Sequence, residues 1–394
     1  MPSRVPKDWP PVRIIEDVAS LHNAIGEWSG AGVIGVDTES NSFYAYEDRL
    51  CLLQVSTDVQ DYIVDPVALG AELKAINPLL ADPGLVKVLH SAEFDLMLLR
   101  KDLGAEMRGM FDTQVAMTLL QTGKTGLAAL LESRYGLQLS KKEQRSDWGR
   151  RPLTEQQLAY ARIDTHFLPD LYRTLHAELA KSDRLEAATG EFRRLELEVL
   201  PPREIDLEGW RRLKGAKRMQ GEPLARVRAL FQWREQTAQA ADQPPFRVMA
   251  NEVLIDLAER PPADVKEIAS RRGFGWPRAR KIGDEVLEAI KGASAADVEV
   301  FHTGRPDKAE IRRRKLRREN QDALRQWRKR LAASMDLPSE RLLHRRHLEE
   351  VGRSLPRTAE ELNKLVPLND WQRENLETSL LEMLAGLQDP ETID

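Results

Sequence analysis

GVIGVDTES, residues 32–40, is an apolar run that closes on two acids, Asp37 and Glu39. Read as a strand, it places residues two apart on the same face, so both carboxylates point the same way. Two later apolar stretches also carry acids. VLHSAEFDLMLL (88–99) holds Asp95, and LAYARIDTHFL (158–168) holds Tyr160 and Asp164 four residues apart, on one face of a helix. A carboxylate beside apolar residues is costly unless something positive compensates it. Acids gathered in one cleft repel each other, and a pair of divalent cations is the usual remedy. The five residues together predict a two-metal phosphoryl-transfer site.

The surrounding chain bounds the answer. Its 394 residues exceed one compact core, so two or three domains are expected. An apolar fraction of 41% and a charged fraction of 31% read as a soluble, folded protein. No apolar run approaches the roughly 20 residues of a membrane span. The opening MPSRVPKDWPPVR offers no apolar stretch for a signal peptide. The single cysteine, Cys51, excludes an internal disulfide framework and fits a reducing cytoplasm. It lies in RLCLLQVS (49–56), where a buried core thiol is the expected reading. One Cys and seven scattered His disfavour zinc.

The net charge of −4 hides strong local clustering. Arg312, Arg313, Arg314, Lys315, Arg317 and Arg318 form a basic block, continued by Arg325, Arg328, Lys329 and Arg330. Arg271, Arg272, Arg278, Arg280 and Lys281 form a second cluster. Two readings stand: solvated helix faces paired with acids, or salt-sensitive phosphate contacts.

The first half alternates strand-like runs with helical patterns, as an α/β domain does. Strands are predicted at Val33–Asp37, Leu50–Ser56, Asp61–Val64 and Val86–His90, with a shorter one near Gly109–Phe111. Short connections let the first three form an antiparallel meander, with a hairpin turn at Asp58 to Gln60. Helices are predicted at Leu73–Leu80, Phe94–Asp102, Gly126–Tyr135, Glu155–Ala161 and Asp164–Leu179. Together these give a mixed sheet covered by helices. Asp112, just before a helical run, reads as an N-cap.

Past residue 200 the strand signal stops, and Pro201 and Pro202 mark a boundary. Residues 204–293 and 309–394 form two helical sets, with a linker at 294–308. The sets look like a degenerate repeat: FQWRE around Trp233 matches LRQWR around Trp327, and VMANEVLIDLAERPP matches LLHRRHLEEVGRSLP. Both tryptophans are expected to anchor small cores.

In this order, and on this α/β pattern, the residues resemble the DEDD exonucleases of the ribonuclease H-like fold, in the subgroup with tyrosine in its third motif. LCLLQVS, KVLHSAEFDLMLL, MFDTQVAMTLL and SDWGRRPLTEQQLAYARIDTHFL are similar to the ribonuclease D family. Ser146-Asp147-Trp148 with Arg151-Pro152-Leu153 is the most specific signature. The helical repeats resemble HRDC domains. The resemblance implies a ribonuclease H-like exonuclease domain at 1–203 followed by two all-α HRDC-like domains.

It further implies a 3′-to-5′ exoribonuclease that releases nucleoside 5′-monophosphates and trims 3′ ends of tRNA precursors. Asp37, Glu39, Asp95 and Asp164 would hold two Mg2+ or Mn2+ ions, and Tyr160 would be the catalytic tyrosine. By position, Thr38, His90 and Phe94 are candidates for the terminal nucleotide, although His90 reads equally as a hydrogen-bonder at a strand end. Lys141, Lys142, Arg145, Arg150 and Arg151 form a basic stretch placed for phosphate contact. Trp148 is expected to pack the start of the tyrosine helix, and Arg162 to face solvent or pair with an acid. Ser40-Asn41-Ser42-Phe43 departs from the more hydrophobic and basic stretch common in the family, which bears on substrate preference. The expected partner is RNA with a free 3′ end, bound by a cytoplasmic monomer. A DNA exonuclease on the same site and an inactive RNA-binding scaffold are the alternatives.

Overall fold

The computed structural model describes residues 9–140, 142–201, 205–298 and 307–393. Pro202, the 203/204 boundary, Lys141 and most of the expected linker therefore lie outside the described residues.

Among the described residues six strands build one mixed sheet: β1 (Arg13–Ile15), β2 (Val33–Ser40), β3 (Leu50–Ser56), β4 (Asp61–Val64), β5 (Val86–Leu89) and β6 (Met110–Asp112). Their order is β1-β4-β3-β2-β5-β6. β3 and β4 are antiparallel, and the expected hairpin is closed by Thr57 N donating to Gln60 O at 2.9 Å. β2, β5 and β6 run parallel. All seven residues of β3 are buried, the polar Gln54 and Ser56 among them, as in a strand covered on both faces. β1 was not anticipated. Its three residues are too short for a pattern, and it is held by parallel pairing with β4 at the sheet edge.

Helices α1 (Val18–Ser29), α2 (Glu93–Leu103), α3 (Thr113–Leu119), α4 (Leu127–Tyr135), α5 (Glu155–His166), α6 (Leu168–Lys181) and α7 (Leu185–Leu197) accompany the sheet. Asp164 does not start the long helix, as the sequence reading had it. It lies in the last turn of α5, and α6 begins at Leu168 with Pro169 in its first turn, where a missing N–H costs nothing. The expected helix at 73–80 is instead a 3-10 segment, Gly70–Ile76, followed by one turn, Asn77–Leu80, that opens with Pro78.

The helical half repeats itself in detail. The first set comprises α8 (Gly221–Ala240), α9 (Asn251–Glu259), α10 (Val265–Ser270) and α11 (Gly275–Lys291). The second contains α12 (Lys308–Ser334), α13 (Arg345–Ser354), α14 (Ala359–Leu365) and α15 (Thr378–Ala385). Trp233 Nε1 donates to Glu285 and Trp327 Nε1 to Ser379, each across 52 residues. Arg234 donates to the Met249 carbonyl and Arg328 to that of Leu343, each across 15. Asp264 and Thr358 cap equivalent helices. Each set has its own apolar core; Trp327 lies within one and Trp233 packs against the other.

Among the described residues the chain forms two compact units. One draws on described residues within 9–39, 50–201 and 307–393, the other on 40–49 and 205–298. The second helical set is thus not independent: it packs with the α/β domain, through α7. Glu198 pairs with His347 Nε2 at 2.9 Å and Arg346 Nη2 at 3.0 Å, and Glu191 pairs with Arg194 and Arg341. Much of the basic block on α12 is paired with acids: Arg314 with Glu310, Lys315 with Glu319, Arg317 with Glu391 and Arg325 with Asp322. No helix among the described residues is long and apolar enough to cross a membrane.

Candidate active site

Three elements bring the acids together. β2 supplies Asp37 and Glu39 on one face. α5 is pressed against that strand at Gly35, where an added Cβ would stand 2.6 Å from the Thr165 carbonyl and 2.9 Å from Leu168 Cβ. Only glycine permits this approach, and it sets the end of α5, with Asp164, over the acidic end of β2. α5 is fixed from its other side as well. Arg162, expected to face solvent or pair, is buried and pairs with Asp61 of β4 at 2.5 Å, while Ser56 Oγ lies 2.7 Å from Thr165 Oγ1.

α2 supplies Asp95. Its start depends on Asp112, which accepts from the backbone N–H groups of Ser91 and Ala92 while also capping α3 through Gln114 and Val115. The N-cap reading of Asp112 holds, and the same carboxylate shapes the turn into α2. Ser91 takes a left-handed φ of 63° there.

Ligand atoms of Asp37, Glu39 and Asp164 lie within 4.8 Å of one another. Asp95 stands outside this trio and is held by Thr38, whose N–H donates to Oδ1 at 3.1 Å and whose hydroxyl donates to the same oxygen. Burial raises all four carboxyls; Asp95 adds to the rise of the other three and is itself raised further by Asp112. Asp37 is pushed well above the usual carboxylate range, first by burial and then by Asp95, Asp164 and Glu39. Burial, then Asp164 and Asp95, lifts Glu39 to about 9. Burial lifts Asp95 and Asp164 to about 7, partly opposed by hydrogen bonds from Thr38 and Tyr160 respectively. Crowded all-oxygen donors of this kind fit hard divalent ions such as Mg2+ or Mn2+.

The four acids and Tyr160 line a cleft of about 410 Å³ with Thr38, His90, Phe94 and the start of α4. Burial, then Asp164, Glu39 and Asp37, raises the Tyr160 phenol strongly, so it keeps its proton. It donates to Asp164 and receives a hydrogen bond from Gln144. Gln144 was missed by sequence reasoning, because a neutral amide amid lysines and arginines carries no spacing signal. His90 Nδ1 lies 2.8 Å from Thr113 Oγ1, and Thr113 donates to the Leu89 carbonyl. Nδ1 must then be the protonated nitrogen, leaving Nε2 as an acceptor. Phe94 is exposed in the cleft wall.

Other candidates lie elsewhere. Lys142 and Arg145 are exposed on a 3-10 turn (Glu143–Arg145) and are not part of the cleft lining. Trp148 is buried, packing with Cys51, Leu52, Ile63 and Ala161, so both it and the thiol are core groups. Arg151 is engaged within the protein: its guanidinium donates to Asp65, at 2.5 and 2.7 Å, and to the carbonyls of Trp148 and Cys51.

A family model described as 3′-5′ exonuclease matches residues 12–180, and the HRDC domain model matches 224–290 and 320–384. Ribonuclease D of Zymomonas mobilis is 32% identical over 287 residues, 72% of this chain and 73% of that protein. Exosome complex exonuclease RRP6 of Saccharomyces cerevisiae is 33% identical over 271 residues, 65% of this chain and 37% of that longer protein. The chain thus spans little more than a third of that exosome relative. The structure of Escherichia coli RNase D, an exoribonuclease involved in structured RNA processing, covers 96% of this chain and is itself fully covered, with a TM-score of 0.63. At 24% identity that likeness establishes the fold. With its exonuclease domain, its paired HRDC repeats and the shared length with the bacterial enzymes, the chain belongs to the ribonuclease D family.

Proposed function

We propose that the chain is a metal-dependent 3′-to-5′ exoribonuclease trimming the 3′ ends of structured RNA, tRNA precursors foremost. The observation that carries the reading is the convergence of ligand oxygens of Asp37, Glu39 and Asp164 within 4.8 Å, the first two half-buried and the third buried. Two Mg2+ or Mn2+ ions bound there supply Lewis-acid stabilisation to the attacking and leaving oxygens of a phosphodiester. Asp37, Glu39 and Asp164 would hold such ions, with Asp95 beside them.

The chain's own groups then position the reactants. The protonated Tyr160, fixed between Asp164 and Gln144, orients the water that attacks phosphorus. The P–O3′ bond breaks and a nucleoside 5′-monophosphate leaves. His90 Nε2 accepts from a hydroxyl of the terminal ribose, and the exposed ring of Phe94 stacks on the last base. The Thr38 hydroxyl serves Asp95 rather than the nucleotide. Lys142 and Arg145 contact RNA phosphates beyond the cleft. The enzyme works as a cytoplasmic monomer.

The test is digestion of a 3′-extended tRNA beside a DNA oligonucleotide of the same 3′ sequence, in Mg2+, Mn2+ or EDTA. Stepwise release of 5′-monophosphates from the RNA alone, abolished by EDTA, is expected. Equal digestion of the DNA favours a DNA exonuclease, and no digestion of either overturns the proposal.

A further inference from the structure

The face of α5 turned away from the cleft is gripped by a single carboxylate. Tyr160 and Asp164 line the cleft from one side of this helix. Arg162 and His166 are likewise four residues apart, and an offset of two residues places them about 200° around the axis. Asp61 of β4 meets both. Arg162 Nε donates to Asp61 Oδ2 at 2.5 Å, and His166 Nδ1 lies 3.0 Å from each oxygen. An ionised carboxylate only accepts, so Nδ1 carries the proton.

A third thread runs through Ser56. Its hydroxyl donates to Asp61 Oδ1 at 2.8 Å, so the 2.7 Å contact with Thr165 Oγ1 is a hydrogen bond received from Thr165. Residues 162, 165 and 166 thus converge on one side chain, directly or through Ser56. Asp61, Ser56, Arg162 and Thr165 are all buried. Trp9 covers the cluster from outside. Its ring stacks on His166 with centroids 3.6 Å apart, and the Arg162 guanidinium lies 4.8 Å from the ring centre. Burial would raise the Asp61 carboxyl, yet His166, Ser56 and Arg162 hold it below its ordinary value. A charge so enclosed persists only when it is paired and hydrogen-bonded.

The two supports of α5 do different things. Gly35 sets how closely the helix approaches β2. That single point of contact does not resist a turn of the helix about its own axis. Asp61 does, because its partners lie on one flank and span a full helical turn. Side chains reach about 5–6 Å from a helix axis, so a turn of about 15° carries the Asp164 carboxylate through about 1.5 Å. A displacement of about 1 Å at a reacting centre can cost about 100-fold in rate.

We propose that Asp61 is a positioning residue that pins the rotation of α5 and thereby aims Asp164 and Tyr160 into the cleft. The reaction it serves is the hydrolysis proposed above. Asp61 touches neither RNA nor metal ion in this scheme; it acts through residues 162, 165 and 166.

The experiment compares Asp61→Asn, His166→Phe and His166→Asn in the full chain. Gly190→Ala on α7, where an added Cβ crowds Asn369, is the control for lost stability alone. Three readouts are taken: Mn2+ binding by electron paramagnetic resonance, kcat and KM on a short single-stranded RNA in Mg2+, and melting temperature. Asp61→Asn keeps the shape and loses the charge opposite Arg162. It should weaken Mn2+ binding about tenfold and lower kcat at least about tenfold, with KM within about twofold. His166→Phe keeps a ring over Trp9 but loses the donor, and should lose about fivefold in both Mn2+ affinity and kcat. His166→Asn keeps an N–H donor near the Nδ1 position and should restore most of both. Gly190→Ala should melt earlier with Mn2+ affinity and kcat unchanged. Wild-type Mn2+ affinity and kcat in folded Asp61→Asn overturn the pin. So do equal losses in the two His166 variants, or a matching loss in Gly190→Ala. Should Asp61→Asn not fold, the His166 pair decides. A wild type that binds Mn2+ without cutting RNA overturns the proposed function instead, and the Mn2+ readout still decides the pin.

Discussion

Thr38 and Asp95 come from different elements of the cleft and are joined twice, since the N–H and the hydroxyl of Thr38 both donate to Asp95 Oδ1. One oxygen of the carboxylate is thereby committed and its plane fixed, leaving Oδ2 to bind a cation. Groups that orient a metal-binding carboxylate commonly matter about as much as 10- to 100-fold in affinity.

Thr38→Val keeps the shape and the backbone donor but removes the hydroxyl. Half-maximal hydrolysis should require about tenfold more Mg2+, with kcat near the wild-type value once the metal saturates. A metal titration of activity on a short RNA checks this. A change in KM for RNA without a change in metal requirement would instead make Thr38 a nucleotide contact.

The acid cluster predicts an unusual pH response for the metal-free protein. Glu39 titrates at about 9 and Asp95 and Asp164 at about 7 when folded, against ordinary values near 4 when unfolded. Between those limits the folded state binds more protons than the unfolded one, so its stability falls as pH rises. The loss begins near the unfolded values and continues as pH rises through the folded ones. Mg2+ binds the deprotonated acids and should offset it. Melting temperatures in EDTA should therefore drop from pH 5.5 to pH 8.5, and the gain from Mg2+ should widen over the same range. A Mg2+ effect independent of pH would mean that these carboxyls are not the ligands.

How much of this was legible depends on whether a residue's role follows from its neighbours in sequence. Asp37 with Glu39 and Tyr160 with Asp164 were, because strand and helix periodicity fix which side chains share a face. The repeat was also readable, since Trp233 and Trp327 stand in matching runs. Partners far apart in the chain were not. Nothing in the segment after the acidic strand announces that Tyr46 N–H donates to Asp242, 196 residues further on. Nor does the basic stretch around Lys142 separate Gln144, which meets Tyr160, from Arg151, which donates to Asp65 and to backbone carbonyls. Charge alone placed Arg151 toward RNA, and its internal partners argue for a structural role.

Arg151→Met should for that reason cost stability rather than RNA affinity. Asp65 is nearly buried and its carboxyl is held below its ordinary value, with burial opposed by the Arg151 hydrogen bonds and charge. Removing one member of a largely buried pair costs about 3 kcal/mol. Urea melts should show that loss, while the salt dependence of RNA binding stays at the wild-type slope. A shallower slope with unchanged stability would restore the phosphate assignment.

Gly190 of α7 tests whether the second helical set truly docks there. In an exposed helix, glycine to alanine stabilises by about 1 kcal/mol. Here an added Cβ would stand 2.6 to 2.8 Å from the side-chain amide of Asn369. That amide is not free to move, because its oxygen caps Asp370–Gln372 through Gln372 N–H at 2.9 Å, and Gln372 in turn donates to the Leu342 carbonyl. Gly190→Ala should thus destabilise by about 1–3 kcal/mol, the sign opposite to helix propensity. Asn369→Ala alone should cost about 1 kcal/mol through the lost cap. The double variant opens the space the new methyl needs, so its loss should fall short of the sum by about 1 kcal/mol. A double-mutant cycle in urea measures this coupling. Additive losses would place Asn369 away from α7 and release the second repeat from the exonuclease domain.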